Sequence, residues 1–282
     1  MLAGSIVRAT GSGMGCPDWP KCFGLWVPPL TEDQLPADYK EKYKVAEGHD
    51  ATFNAFQTWT EYLNRLAGAL LGMVAFIALL FSLPLFREKK IYFLLTLTGV
   101  FLIGFEAWLG KTVVSSNLAP VKITTHMLVA FVIAGLFLYI LKFRFTGMTK
   151  FLPFPGYLLV VALAGTLIQV ISGTAVREQI DEIALALQNQ NRNLWVDFLD
   201  WKFLFHRSFS LVILALNGFI FYKLRKTPLA RFARLMIILI FLEIIFGVGM
   251  ANWGIPAWIQ PLHLIFSGGI FSTQCWILFR TR

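Results

Sequence analysis

Three of the four histidines in this chain, His126, His206 and His263, fall inside stretches apolar enough to cross a membrane. An imidazole placed in hydrocarbon is costly, and such residues are usually functional. Imidazole is a common axial ligand of haem iron. The plainer reading is an interhelical hydrogen bond made by each ring. His206 and His263 together, at matching depth, favour a haem held between them. A mononuclear zinc site wants three or four ligands, and no Asp or Glu accompanies the pair at this depth in the C-terminal half. The remaining histidine, His49, stands beside Asp50 in a polar loop and reads as solvated.

The elements that carry these residues are membrane helices. Of the 282 residues 57% are hydrophobic and 15% charged, where a soluble domain carries about a quarter charged. The apolar residues fall in blocks of about 20, enough to cross roughly 30 Å of hydrocarbon at about 1.5 Å per residue. Seven spans are expected, at Ala55–Phe86, Ile91–Val114, Val121–Phe143, Gly156–Val176, Phe203–Tyr222, Phe232–Gly249 and Trp258–Phe279. Trp59 and Tyr62 read as interface anchors of the first. The net charge of +9 follows from topology and points to no nucleic-acid partner. Arg87, Lys89 and Lys90, then Lys142, Arg144 and Lys150, then Lys223, Arg225, Lys226, Arg231 and Arg234, and finally Arg280 and Arg282, occupy alternate connections. By the positive-inside rule these face the cytoplasm. The intervening loops carry most of the acidic residues, so they and the histidine sites near them are expected on the extracytoplasmic side of a plasma membrane.

Before the first full span, Met1 to Val7 looks like the last turns of a membrane helix, with residues 8–54 outside. A truncated or misassigned N-terminus is the expectation. Cys16 and Cys22 bracket Pro17-Asp18-Trp19-Pro20-Lys21 in that outer loop. The compartment permits a disulfide; two separate thiols, or a metal site, are the alternatives. Cys275, inside the last span, reads as a small buried apolar residue.

An internal repeat organises the chain. Trp59 to Arg65 aligns with Trp201 to Arg207, which sets Asn64 against His206. Glu106, Gly110 and His126 align with Glu243, Gly247 and His263, each Glu preceding its His by 20 positions. Gly4 to Arg8 aligns with Gly173 to Arg177. The expected architecture is therefore all-α: two pseudo-symmetric four-helix bundles, 1–147 and 148–282, in an eight-helix fold whose first helix is largely missing. An axis near the membrane normal would relate them.

The halves differ at the ligand positions. The C-terminal half has His206 with His263, a closed pair suited to electron transfer. The N-terminal half has His126 with Asn64, and Glu61 one turn before Asn64 on the same helix face. A carboxylate beside a haem can move protons; interfacial solvation or a salt bridge to Arg65 is the plainer reading. Arg65 and Arg207 follow the ligand positions and could pair with haem propionates or snorkel to lipid phosphate. Glu106 and Glu243 lie deeper and need partners; Lys111 is a candidate for Glu106, and the pair reads as structural.

At these residues the chain resembles the haem A synthase family of cytochrome oxidase assembly. The segment Val7-Arg8-Ala9-Thr10-Gly11-Ser12-Gly13-Met14-Gly15-Cys16-Pro17-Asp18-Trp19-Pro20-Lys21-Cys22 looks like that family's first extracytoplasmic loop. Glu61 with Arg65, His126, His206 with Arg207, and His263 fall where its motifs lie. The resemblance implies an eight-helix fold and oxidation of the C8 methyl of haem O to a formyl group, by successive hydroxylation and loss of water from the geminal diol. It implies a resident haem b on His206 and His263, a substrate haem on His126, and Glu61 as the catalytic acid. Cys16 and Cys22 match a cysteine pair of many bacterial members, implicated in disulfide exchange or in haem transfer from the haem O synthase. One departure stands out. Many members have His where this chain has Asn64. Either His126 alone ligates the substrate haem, or Asn64 orients a water on the other face; altered activity is the third reading.

Two other functions fit the same residues. A membrane b-type cytochrome exchanging electrons with quinone would need His206 and His263 but not Glu61. A haem carrier or assembly factor would need no turnover. The expected partners are haem O, membrane lipid, the haem O synthase and cytochrome oxidase assembly factors.

Overall fold

The computed structural model describes residues 1–43, 52–116, 118–144 and 154–281; His49 lies outside them. Helices dominate, and among the described residues there is no strand, only isolated bridge residues such as the pair Cys22 and Leu25. In hydrocarbon a spanning segment must satisfy its own backbone, which leaves helix as the solution for apolar blocks of this length. The helices are α1 (Leu2–Ala9), α2 (Tyr39–Lys42), α3 (Ala55–Ser82), α4 (Lys90–Ser115), α5 (Pro120–Arg144), α6 (Gly156–Ala186), α7 (Trp201–Leu224), α8 (Ala230–Asn252) and α9 (Ile259–Leu278). Six of them, α3 to α8, are long and apolar enough to cross a membrane, which makes this a multi-pass membrane protein. The seventh expected span is α9, a helix of 20 residues that carries Gln260, His263 and Gln274 and falls outside that set.

One expected boundary is corrected. The span expected to end at Val176 continues as helix to Ala186. Charged Arg177, Glu178, Asp181 and Glu182 mimic a loop in the sequence. The helix persists because Val176, Ile180 and Ala184 repeat at helical spacing and bury against Trp195 and Ile255. An Arg177–Asp181 ion pair at 2.8 Å supports the turn on the solvent side.

The chain divides into two units, Met1–Ile133 and Ala134–Arg282. In the first, α1 packs on α3 and α3 on α4. The connection between α1 and α3 has a small core of its own, Cys16, Cys22, Phe23, Leu35 and Tyr39. Phe23 meets Tyr39, Tyr43 and Phe53 edge-on, with ring centres 5.6–6.0 Å apart. Tyr39 donates to Glu32 at 2.6 Å, and this bond, aided by Lys40, holds the Glu32 carboxyl below the ordinary carboxylate range.

In the second unit α6, α7, α8 and α9 close into a ring, with contacts between α6 and α7, α7 and α8, α8 and α9, and α9 and α6. Leu159, Ile220, Met236 and Ile277 are fully enclosed at one end of it. A buried polar chain crosses the middle. Thr166 donates to Gln274 Oε1 at 3.0 Å, and Gln274 Nε2 donates to Asn217 Oδ1 at 3.0 Å. Each of these groups finds a partner, as burial in an apolar bundle demands. Cys275 is buried, as expected.

Candidate functional site

Each unit builds its site from the same helix face. In the second unit Glu243 and Gly247 lie one turn apart on α8. The His263 ring, from α9, lies over Gly247, where an added Cβ would come within 3.4 Å of its Cε1. Its Nδ1 is 3.4 Å from Glu243 Oε2. In the first unit Glu106 and Gly110 repeat the pattern on α4. A Cβ on Gly110 would stand 3.6 Å from His126 Cε1, and His126 Nδ1 is 3.2 Å from Glu106 Oε1. The contact found for Glu106 is thus His126; Lys111 is exposed. The expectation that no carboxylate accompanies the C-terminal histidine pair is corrected in the same way, because Glu243 reaches His263.

The repeat-related positions His206, on α7, and Asn64, on α3, pack on α6 and α1. His206 lies against Gly173, whose Cβ would stand only 3.0 Å from its Cε1. Asn64 lies against Gly4, the repeat counterpart, at 3.9 Å. His206 Nδ1 is 2.9 Å from Ser172 Oγ, and Ser172 donates its own proton to the Gln169 carbonyl at 2.8 Å. With the hydroxyl proton on that carbonyl, Ser172 is free to accept from His206 Nδ1–H, the arrangement that leaves Nε2 with the lone pair. By the repeat alignment the residue at the Ser172 position in the first unit is Ala3. Histidine and its hydroxyl partner are absent from that half together.

His206 and His263 face each other with ring centres 6.4 Å apart and planes inclined at 68°. Two imidazoles sharing one metal, each bonded at about 2 Å, hold their ring centres roughly 6 Å apart. The pair fits that spacing, and both Nδ1 atoms already face other protein groups. Among the described residues no group of three or more His, Cys, Asp or Glu gathers to hold a metal. A haem, whose macrocycle supplies the other four bonds, needs only two.

Glu61 is the other focus of the first unit. It is 3% exposed, and the N-terminal loop closes over it. Cys16 N–H donates to Glu61 Oε2 at 2.8 Å. Arg65, one turn on, donates to Oε1 through Nε at 3.2 Å and through a second short bond. The rest of the guanidinium is spent on the loop, donating to the carbonyls of Cys16 at 2.9 Å, Asp18 at 2.6 Å and Lys21 at 3.0 Å. All five N–H donors of this side chain are so engaged with protein. Arg207, its repeat counterpart, is exposed beside Phe203.

The loop sits this close because of Gly15. A Cβ there would meet the backbone of Gln57 at 2.4 Å, and Thr58 donates to the Gly15 carbonyl at 2.9 Å. Cys16 and Cys22 form a close buried pair, with Cα atoms 4.8 Å apart. Asp18 ties the turn by accepting from Phe23 N–H and, at 2.8 Å, from Gly24 N–H. The structure thus gathers Glu61, Arg65, Cys16 and Cys22 into one cluster and pairs His126 with Glu106. Among the described residues no hydrogen bond or ion pair joins Asn64 to His126. The two Glu–His pairs are what sequence reasoning missed, although the shared spacing of 20 positions was their signal.

Fold and site define a polytopic helical membrane protein whose two units each set a helix-borne histidine against a glutamate and a glycine. The profile of the COX15-CtaA family, described as cytochrome oxidase assembly protein, matches residues 1–275. The chain belongs to this family. A heme A synthase of Bartonella quintana (strain Toulouse) is 28% identical over 61% of this chain and 50% of its own length. One of Flavobacterium johnsoniae is 24% identical over 99% of this chain and 93% of its own length. One of Shewanella oneidensis is 31% identical over 49% of this chain and 39% of its own length. The chain spans half the length, or less, of the Bartonella relatives it matches. No solved structure matches it.

Proposed function

We propose that this protein is a haem A synthase, oxidising the C8 methyl of haem O to a formyl group for cytochrome oxidase. The observation that carries the proposal is the asymmetry of a repeated site. Both units pair a histidine with a glutamate over a glycine. Among the described residues only the second sets another histidine opposite, at 6.4 Å. The first has Asn64 there, one turn from the buried Glu61. One site is closed for a permanent group and the other is left for an exchanging one.

In this reading the two bundles are 1–147 and 148–282. His206 and His263 hold a resident haem b, which supplies one-electron chemistry when bound. His126 ligates the substrate haem from one side, and Asn64 lies on the other. Glu61 handles protons as the methyl carbon gives up two electrons at each of two successive hydroxylations to an electron acceptor outside this chain, reaching a diol that loses water. Arg207 pairs with a haem propionate, whereas Arg65 is committed to Glu61 and the loop. Cys16 and Cys22 form a disulfide that keeps this loop on Glu61. The sites face the extracytoplasmic side of the plasma membrane. Haem O arrives from the haem O synthase, and cytochrome oxidase assembly factors are the onward partners.

The test is haem composition in a strain that has a haem O synthase and no haem A synthase of its own. Expression of this chain makes haem A appear in extracted membranes. Haem O remaining as the sole product overturns the proposal in favour of a b-type cytochrome or a haem carrier.

A further inference from the structure

We infer that Glu243, and Glu106 in the other half, are positioning residues that set the donor strength of the histidine each one backs. The inference rests on the haem reading above and adds to it what tunes the iron. A carboxylate within a membrane span is expensive and requires a partner. Glu243 Oε2 and His263 Nδ1 are both buried and have no hydrogen-bond partner in good geometry, yet face each other at 3.4 Å. His126 Nδ1, likewise buried, is 3.2 Å from Glu106 Oε1. The seat is built twice from the same parts: a glutamate, a glycine one turn later, and a histidine from the next helix lying over that glycine. Packing on the glycine holds the ring so that Nδ1 turns to the carboxylate and Nε2 is left for iron.

The chemistry follows from general behaviour of ligating histidines. An imidazole whose second N–H is given to a carboxylate is more basic and donates more strongly to its metal. A stronger donor favours ferric over ferrous iron, and second-sphere hydrogen bonding is a recognised lever on haem potential. The two histidines that would hold the resident haem are then unequal. His263 is backed by a carboxylate. His206 is backed by a neutral hydroxyl, Ser172, at 2.9 Å. Glu243 therefore holds the potential of the resident haem down, and Ser172 contributes less.

The experiment is a spectroscopic redox titration of the resident haem in the purified full-length protein, comparing wild type with Glu243→Gln and Ser172→Ala. Glu243→Gln keeps a low-spin haem with two axial imidazoles. Its midpoint rises by about a tenfold change in the ferric-to-ferrous preference, about 59 mV for one electron. Ser172→Ala shifts it less. An unchanged midpoint in Glu243→Gln overturns the inference and leaves the haem reading standing. If Glu243→Gln does not retain haem, Glu243→Asp keeps the charge but withdraws it from Nδ1. It is expected to raise the midpoint as well, and a wild-type midpoint there overturns the inference. Wild-type protein without a low-spin haem, or full retention of that haem in His263→Ala, contradicts the haem reading and this inference with it.

Discussion

The backbone N–H of Cys16 donates to Glu61 Oε2 at 2.8 Å, across 45 positions of chain. It is the hydrogen bond that ties this oxygen to the loop. The carboxylate proposed to handle protons is thus held by the loop that contains the cysteine pair. Replacing both cysteines by serine loosens that hold without touching the second unit. The expected result is a fall in haem A formation on the order of 10–100-fold, the usual cost of misplacing a reacting group. The resident haem spectrum stays as in wild type. Extracted haem ratios and reduced spectra of the same membranes check both halves of this statement.

Arg65 fixes the loop from the other side. Removing it leaves Glu61 buried without its countercharge and three loop carbonyls without a donor. Breaking a buried pair in this way costs about 3–5 kcal/mol; both side chains are mostly buried, at 14% and 4% exposure, so little screening relieves it. Arg65→Ala should lower the thermal midpoint in detergent and expose the loop to protease. Arg65→Lys should behave nearly as badly, because an ammonium offers three donors where five are used.

Gly15 makes a sharper test of the same seat. A methyl group there meets the Gln57 carbonyl oxygen at 2.4 Å and its carbon at 2.5 Å, and backbone cannot swing aside. Gly15→Ala is expected to lift the loop from α3 at a cost of about 1–3 kcal/mol. Thiol labelling after mild reduction would then reach Cys16 and Cys22 faster than in wild type. Equal labelling rates would contradict the close approach.

Asn64 offers a gain-of-ligand experiment. His206 has Ser172 behind it; the matching positions in the first unit are Asn64 and Ala3. Asn64→His combined with Ala3→Ser rebuilds the second unit's arrangement. A second low-spin, bis-imidazole haem signal is expected, with slower release of product than from the proposed His126 and Asn64 site. Electron paramagnetic resonance of the purified variant reads the first, and single-turnover haem exchange reads the second.

Most of the helices were legible because uninterrupted apolar blocks have no other solution in lipid. Where α6 ends was not. Arg177, Glu178, Asp181 and Glu182 look like loop, and only their burial relation to Trp195 and Ile255 reveals an apolar stripe beneath them. The histidines were visible as costly residues in apolar surroundings, and Glu61 as a carboxylate one turn before Asn64. The Glu–His pairs were visible only as an unexplained spacing, since helical periodicity says nothing about distance between neighbouring helices. The Arg65–Glu61 ion pair was legible at its spacing of four, but the loop partners of Arg65 were not, because backbone carbonyls leave no trace in residue types.

The central claim is that one unit keeps a haem while the other transforms one. Extraction of the haems bound to purified Glu61→Gln protein, made alongside a haem O synthase, tests it most directly. The account predicts resident haem b at wild-type level together with haem O that is not converted, conversion having dropped on the order of 10²–10⁴-fold. Haem A at wild-type level in this variant, or loss of the resident haem b, would contradict it.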